Sequence, residues 1–332
     1  MTEQAPLPYA IPAPVPGRGG LTAIGVVSIL IGALSGCVAV TTPLSLVAGM
    51  AARPGMPAGS RPDVRTALVA FLMYAAVAGG FIAIGIGCVR GKRWVRPIVL
   101  SVAWPWLIVG TVSSVFWLTM LPQARVAMTQ AMVSAMPPSA PPPPTVLVPI
   151  MLAAMSVMFV AMGMILPGVY VAYFARRKVA ATLNLLDSQA SWADRVPVPV
   201  LGLVVWLALG AASLTFVLVR PLVPVFGTFV VGWPAALILL GVMVVLAYAA
   251  RQAYARRWAG WWIPLVLSVV GPVSYGLTVA LRGMDEYYRL MGVPEAQVEA
   301  TRTMGLGRMA AMGLVGPVLA VGYLMYVRRY FG

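Results

Sequence analysis

The chain has 332 residues, 61% hydrophobic and 9% charged, with a mean hydropathy of +0.92 and a formal net charge of +15. Soluble domains are about 25% charged on average, so a water-solvated surface is excluded and an integral membrane protein is expected. The basic residues sit at the ends of apolar segments, a placement that sets membrane topology. No nucleic-acid partner is expected from them.

Residues 1–20 form a Pro-rich tail, PLPYAIPAPVPGRGG, which has too little apolar surface for a core and favours extended polyproline conformations. Eight apolar segments follow, at 21–42, 66–89, 96–119, 147–174, 199–219, 227–250, 260–281 and 309–327. Each approaches the ~20 residues that a bilayer core requires. The expected fold is an all-α integral membrane protein with eight transmembrane helices.

The segments read as two parallel four-helix repeats. GGFIAIGIGCVRGKRWVRPIVLSVAWP at 79–105 is matched downstream by LGVMVVLAYAARQAYARRWAGWWIPLVLSVVGP at 240–272. Each has a short basic connector with a basic-Trp pair, Arg93-Trp94 and Arg257-Trp258, and each following segment carries Ser-Val-x-x-Pro. IGALSG at 31–36, Pro43-Leu44 and Gly49 recur as LGAASL at 209–214, Pro221-Leu222 and Gly227. The division is therefore a tail at 1–20, a first membrane repeat at 21–174, a cytoplasmic linker at 175–198 and a second repeat at 199–332. An even number of spans per copy gives the copies one orientation, with their pseudo-two-fold axis along the membrane normal.

Charge sets the orientation. With the N-terminus inside, the inner segments hold 14 basic residues against Glu3, Asp187 and Asp194, a net of +11, and the outer segments have a net of +4. The bias predicts both termini in the cytoplasm, and 21 Arg against 2 Lys, with abundant Ala, Val, Gly and Pro, suggest a GC-rich bacterial genome and hence a bacterial inner membrane.

Two outer loops are long. Residues 120–146 hold the Met-rich MTQAMVSAM and then PPSAPPPP, which reads as a stiff spacer. Residues 282–308 hold four acids, four bases and the pair Tyr287-Tyr288, and predict two short surface helices. The Asp285/Arg289 and Glu299/Arg302 spacings and Pro294 at a first turn support those helices. This polar loop, 282–308, is the candidate surface for a protein partner.

Chemistry has little to stand on. There is no His, and Cys37 and Cys88 are the only cysteines, with no metal-ligand spacing. None of the spans carries Asp, Glu, Lys or Arg at its middle, where proton relays and ion sites need one. No catalytic, cofactor-binding or metal residue is expected, and the chain does not read as an enzyme.

Leu34-Ser35-Gly36-Cys37 has the form of a lipoprotein cleavage box. The apolar run continues past Cys37, however, and segment five repeats this helix without a Cys, so an uncleaved helix is expected. Cys37 and Cys88 should lie on the order of 20 Å apart in depth, too far for a disulfide.

Small residues recur at Ser28, Gly32 and Gly36, and at Ala75, Gly79, Ala83 and Gly87, giving faces on which helices pack closely. Pro105, Pro167, Pro234, Pro272 and Pro317 should kink their spans. Ser101, Ser113, Ser114, Ser156 and Ser268 should bond to helix backbones. Trp94, Trp258, Trp261 and Trp262 with neighbouring Arg form an interfacial collar, which also suits anionic lipid head groups.

PVPGRGGLTAIGVVSILIGALSG at the start, followed by IGIGCVRGKRWVRP, resembles a loose group of uncharacterised bacterial multi-pass membrane proteins. These share a short Pro-rich N-terminal tail, a Gly-patterned first helix and a hairpin ending in a basic-Trp pair. The resemblance covers mainly the first hundred residues and implies no activity. The functional expectation is a structural or interaction role in the lipid bilayer. The alternative is a transporter or channel for a neutral or lipid-like substrate, which calls for a polar cavity between the repeats.

Overall fold

The structure is a computed structural model that describes residues 17–52, 64–135, 146–293, 298 and 306–331. The Pro-rich tail through residue 16, the 137–144 Pro spacer and the second expected surface helix of 282–308 lie outside these residues, apart from the buried Val298.

Eleven α-helical segments are described, broken by one π turn. They are α1 (Arg18–Ala52), α2 (Val64–Val89), α3 (Val95–Ala135), α4 (Leu147–Val160), α5 (Leu166–Phe174), α6 (Arg177–Leu186), α7 (Val198–Val217), α8 (Trp233–Tyr254), α9 (Ala259–Arg282), α10 (Met284–Leu290) and α11 (Leu306–Val327). The π turn, Ala161–Ile165, joins α4 to α5 into one continuous span. Among the described residues, seven helices are long and apolar enough to cross a bilayer. Large apolar side chains such as Val157, Val244 and Leu34 stand exposed along them, as lipid-facing positions do. The chain is a multi-pass α-helical membrane protein.

Several elements depart from the expected boundaries. Residues 18–20, read as tail, open α1. α3 runs to Ala135, through LPQARVAMTQAMVSA, which had read as the start of an outer loop. Ala, Met, Gln and Arg are strong helix formers, so this stretch continues the helix once the span has nucleated it. At 41 residues α3 is about 61 Å long, twice the ~30 Å hydrocarbon core.

The sixth segment was expected to begin at 227. Instead α8 begins at Trp233, and an antiparallel hairpin precedes it, β1 (Leu222–Val225) and β2 (Thr228–Val231). Leu222 faces Val231 and Val225 faces Thr228. Pro221 and Pro224 cannot supply helix N–H groups, and Val-Phe-Gly-Thr-Phe-Val-Val is rich in strand formers. The matching Pro43-Leu44 and Gly49 lie within α1 or its continuation, among Ser, Leu, Ala and Met. One spacing thus folds two ways because its neighbours differ.

The chain forms two compact units, one of residues 1–62, 70–96 and 174–191, the other of 63–69, 97–173 and 192–332. In the first, α1 and α2 pack through small residues. A Cβ on Gly25 would meet the Gly85 carbonyl oxygen at 2.8 Å, and one on Gly32 would meet Ile82 and the Ala78 carbonyl. Gly36 lies over the Ala78 methyl, and Ser28 is fully buried, its hydroxyl donating to Ile24 O at 2.8 Å. The α1 stripe is the expected one. On α2, however, Ala78, Ile82 and Gly85 make the contact, while Gly79 faces open space. Cys88 sits beside Gly25, twelve residues along α1 from Cys37 and so about 18 Å away in depth, and both cysteines are free.

α6 lies within 175–198, the stretch read as a linker, and buries Val179, Thr182 and Leu183. Its C-terminal Asp187 accepts the Arg93 N–H at 3.4 Å and lies 3.6 Å from Lys92 Nζ. Leu186 covers Gly91, and Arg96 Nε donates to Phe174 O at 3.1 Å. These contacts fix the first basic connector.

In the second unit, α7 packs on α8, α8 on α9, and α9 on α11. α3 meets the π turn where Gly110 and Gly163 touch backbone to backbone. Ser114 Oγ donates to Phe159 O at 3.3 Å, and Trp117 donates to Ser156 Oγ at 3.0 Å while stacking on Phe159. Ser101 Oγ donates to Pro97 O at 2.6 Å, and Ser156 Oγ to Leu152 O at 2.7 Å. Ser101, Ser114 and Ser156 thus have the backbone bonds expected of them.

Candidate functional site

The most elaborated polar structure is on the face opposite the second basic connector, where α9 ends. Ser274, Thr278 and Arg282 lie four residues apart and so share one face of α9. That face holds the hairpin turn. The Phe226 N–H donates to Ser274 Oγ at 3.0 Å, and the Gly227 N–H to Thr278 Oγ1 at 2.9 Å. Arg282 Nε donates to Gly227 O at 3.1 Å, and Ser274 Oγ to Pro224 O at 3.0 Å.

Both turn residues have positive φ, 38° at Phe226 and 99° at Gly227, the sign pattern of a type I′ turn. Glycine adopts this freely, whereas a bulky residue there is strained. The turn is therefore maintained by its three clamps from α9, and it presents Phe226 58% exposed.

α10 completes the platform. Gly283, at φ 81°, ends α9 and lets the chain turn into α10. Tyr287 lies at the centre of an aromatic group, with ring centroids 5.8 Å from Phe229, 6.5 Å from Tyr275 and 5.8 Å from Tyr288. Burial, and then the neighbouring Tyr287, push the Tyr288 phenol up. Arg220 Nη1 donates to Met291 O at 2.6 Å, tying the end of α10 to the hairpin's entry. The first expected surface helix of 282–308 is thus present. The hairpin against which it packs is not among the expected elements, although Pro221, Pro224 and the Phe-Gly pair signal it.

The expected Trp collar separates into different roles. Trp261 is buried, donates Nε1–H to Leu324 O at 2.7 Å, and carries the Arg328 guanidinium 5.4 Å from its ring centroid. Trp258 and Trp262 pack edge-on against it and remain exposed. Arg329 stacks over Tyr326 at 4.4 Å. Trp94 belongs to the other compact unit, where its ring covers Gly87.

The two connectors share one backbone device. In the first, Gly91 has φ 64°, its N–H bonds to Cys88 O, and the Lys92 N–H bonds to Gly87 O. In the second, Arg256 has φ 55°, its N–H bonds to Ala253 O, and the Arg257 N–H bonds to Gln252 O. Both are Schellman C-caps, one with glycine at the left-handed position and one with arginine.

A cavity of about 360 Å³ opens beside the Gly110–Gly163 contact. Trp106, Val109 and Ser113 of α3 line one wall, and Met158, Phe159 and Met162 the other. Among the described residues no group of three or more His, Cys, Asp or Glu side chains is placed to hold a metal ion. No protein-family model, curated protein or solved structure matches this chain.

Proposed function

We propose that this protein is a non-enzymatic component of a bacterial inner membrane that acts through structure or interaction. The hairpin and α10 platform would be its contact surface outside the cell membrane. The observation that carries this reading is the clamped turn. Three α9 side chains hold Phe226 in a strained, exposed conformation that span packing does not require. Strain of this kind clusters at functional surfaces.

In this reading α11 is an eighth span, both termini are cytoplasmic, and residues 21–174 and 199–332 are parallel four-helix repeats joined by a cytoplasmic linker at 175–198. The shared Schellman caps support duplication of the hairpin. Exposed Trp258, Trp262, Arg328 and Arg329 suit anionic lipid head groups at the cytoplasmic leaflet, at about 1 kcal/mol per basic residue. A partner protein on the outer loop 282–308 accounts for its polar-aromatic composition.

The test is complementation. In a deletion strain with a phenotype, a chain lacking 284–304 should reach the membrane folded and fail to restore function. Full restoration would remove the platform from the account. A second reading, passage of a neutral or lipid-like molecule, is favoured only by the α3/α4 cavity.

A further inference from the structure

We infer that the crevice between α3 and the π turn is a binding site for a neutral lipid alcohol that enters from within the bilayer. The inference is independent of the outer platform and begins with the backbone. At the π turn the Leu166 N–H reaches back to Ala161 O, one residue further than in an α-helix. The next donor in that wide register would be Pro167, which has no N–H. The Met162 carbonyl thereby loses its helical donor. In hydrocarbon such a group requires another partner, and π turns are frequent at functional sites.

Met162 and Ser113 both line the crevice, so the residue whose carbonyl lacks its helical donor and a hydroxyl-bearing side chain stand together in a largely apolar lining. Met158 and Met162 supply unbranched side chains that adapt to an irregular hydrocarbon surface. The Gly110–Gly163 contact closes the crevice floor, because neither residue has a side chain to fill it.

Depth selects the ligand. Met162 is twelve residues from the end of α5 at Phe174, or about 18 Å, and lies near the middle of a ~30 Å hydrocarbon core. Val109, Met158 and Met162 are each more than 40% exposed, so the crevice opens where only bilayer-soluble molecules arrive. A phospholipid keeps its charged head group at the surface. A neutral lipid with one hydroxyl can lie between the leaflets and donate to the carbonyl while its chain covers Trp106 and Val109.

The experiment uses the full chain in lipid nanodiscs and a hexadecanol probe bearing a diazirine, with cross-linked residues mapped by mass spectrometry. Cross-links should concentrate at 106–113 and 158–163 relative to the exposed Val244 face of α8. Unlabelled hexadecanol should displace them roughly three- to tenfold better than hexadecyl methyl ether, the effect of one hydrogen-bond donor. Val109→Trp should abolish crevice labelling and leave labelling near Val244 unchanged. Ser113→Ala, which removes a donor that alcohol and ether oxygens accept from alike, should weaken both competitors and leave the alcohol-over-ether preference in place. Even labelling of all lipid-facing helices in the wild type, or equal displacement by the ether, would overturn the proposal whatever the variants do.

Discussion

Replacing Thr278 by Val tests whether α9 maintains the hairpin turn. The side chains are nearly isosteric, and Thr278 is fully buried, so packing is retained while one hydroxyl is removed. The buried Gly227 N–H then loses the partner it has among the described residues, the Thr278 Oγ1 at 2.9 Å. Leaving a buried donor unsatisfied costs about 1–3 kcal/mol. That cost falls on local opening of the turn, so amide exchange at Phe226 and Gly227 should quicken about 5- to 150-fold. Phe226→Asn is the opposing perturbation. It relieves a left-handed bulky residue, at about 1 kcal/mol, and creates the Asn-Gly pair favoured in such turns. Exchange at the turn should slow in that variant. The assay is hydrogen–deuterium exchange of the detergent-solubilised protein, read on peptides covering 222–231. Thr278→Val exchanging within a factor of two of wild type would show that the turn does not depend on α9.

Gly91→Ala should destabilise the first connector by more than 1 kcal/mol or so, since it puts a Cβ both at φ 64° and against Leu186, whereas Arg256→Gly should stabilise the second by about 1 kcal/mol; unfolding in mixed micelles checks the opposite signs. Gly110→Ala drives a methyl into the Gly163 carbonyl and should cost about 1–3 kcal/mol, while Gly79→Ala meets nothing and should be neutral or slightly stabilising. A Gly79→Ala cost as large as that of Gly110→Ala would refute the α2 face that the structure assigns. Purified protein in liposomes should show no solute uptake driven by a pH or sodium gradient, because no span has Asp, Glu, Lys or Arg at its middle.

Seven of the eight expected spans, and the turns at both basic connectors, were legible because hydrocarbon imposes one requirement, apolar length, that composition reveals directly. The α1 packing stripe was legible for a similar reason, as only small residues permit backbone approach. Its partner face on α2 was not. That helix carries Ala75, Gly79 and Ala83 beside Ala78 and Gly85, and residue size alone does not choose between stripes separated by one residue's rotation. Pro167 signalled a disrupted helix, but nothing local to it distinguished a bend from the π turn that brings Gly163 against Gly110. The hairpin was hidden by the match of Pro221 and Gly227 to Pro43 and Gly49. Local strand propensity and the hydroxyls of Ser274 and Thr278, some fifty residues away, decided its conformation.

The platform's role is tested most directly by photo-crosslinking in living cells from single positions in the full-length chain. A photoreactive residue at Tyr288, and separately at Phe226, should give one discrete protein adduct shared by both positions. The same residue at the lipid-facing Val244 should give none. An absence of adducts from both platform positions, or the same adduct from Val244, would contradict the interaction account.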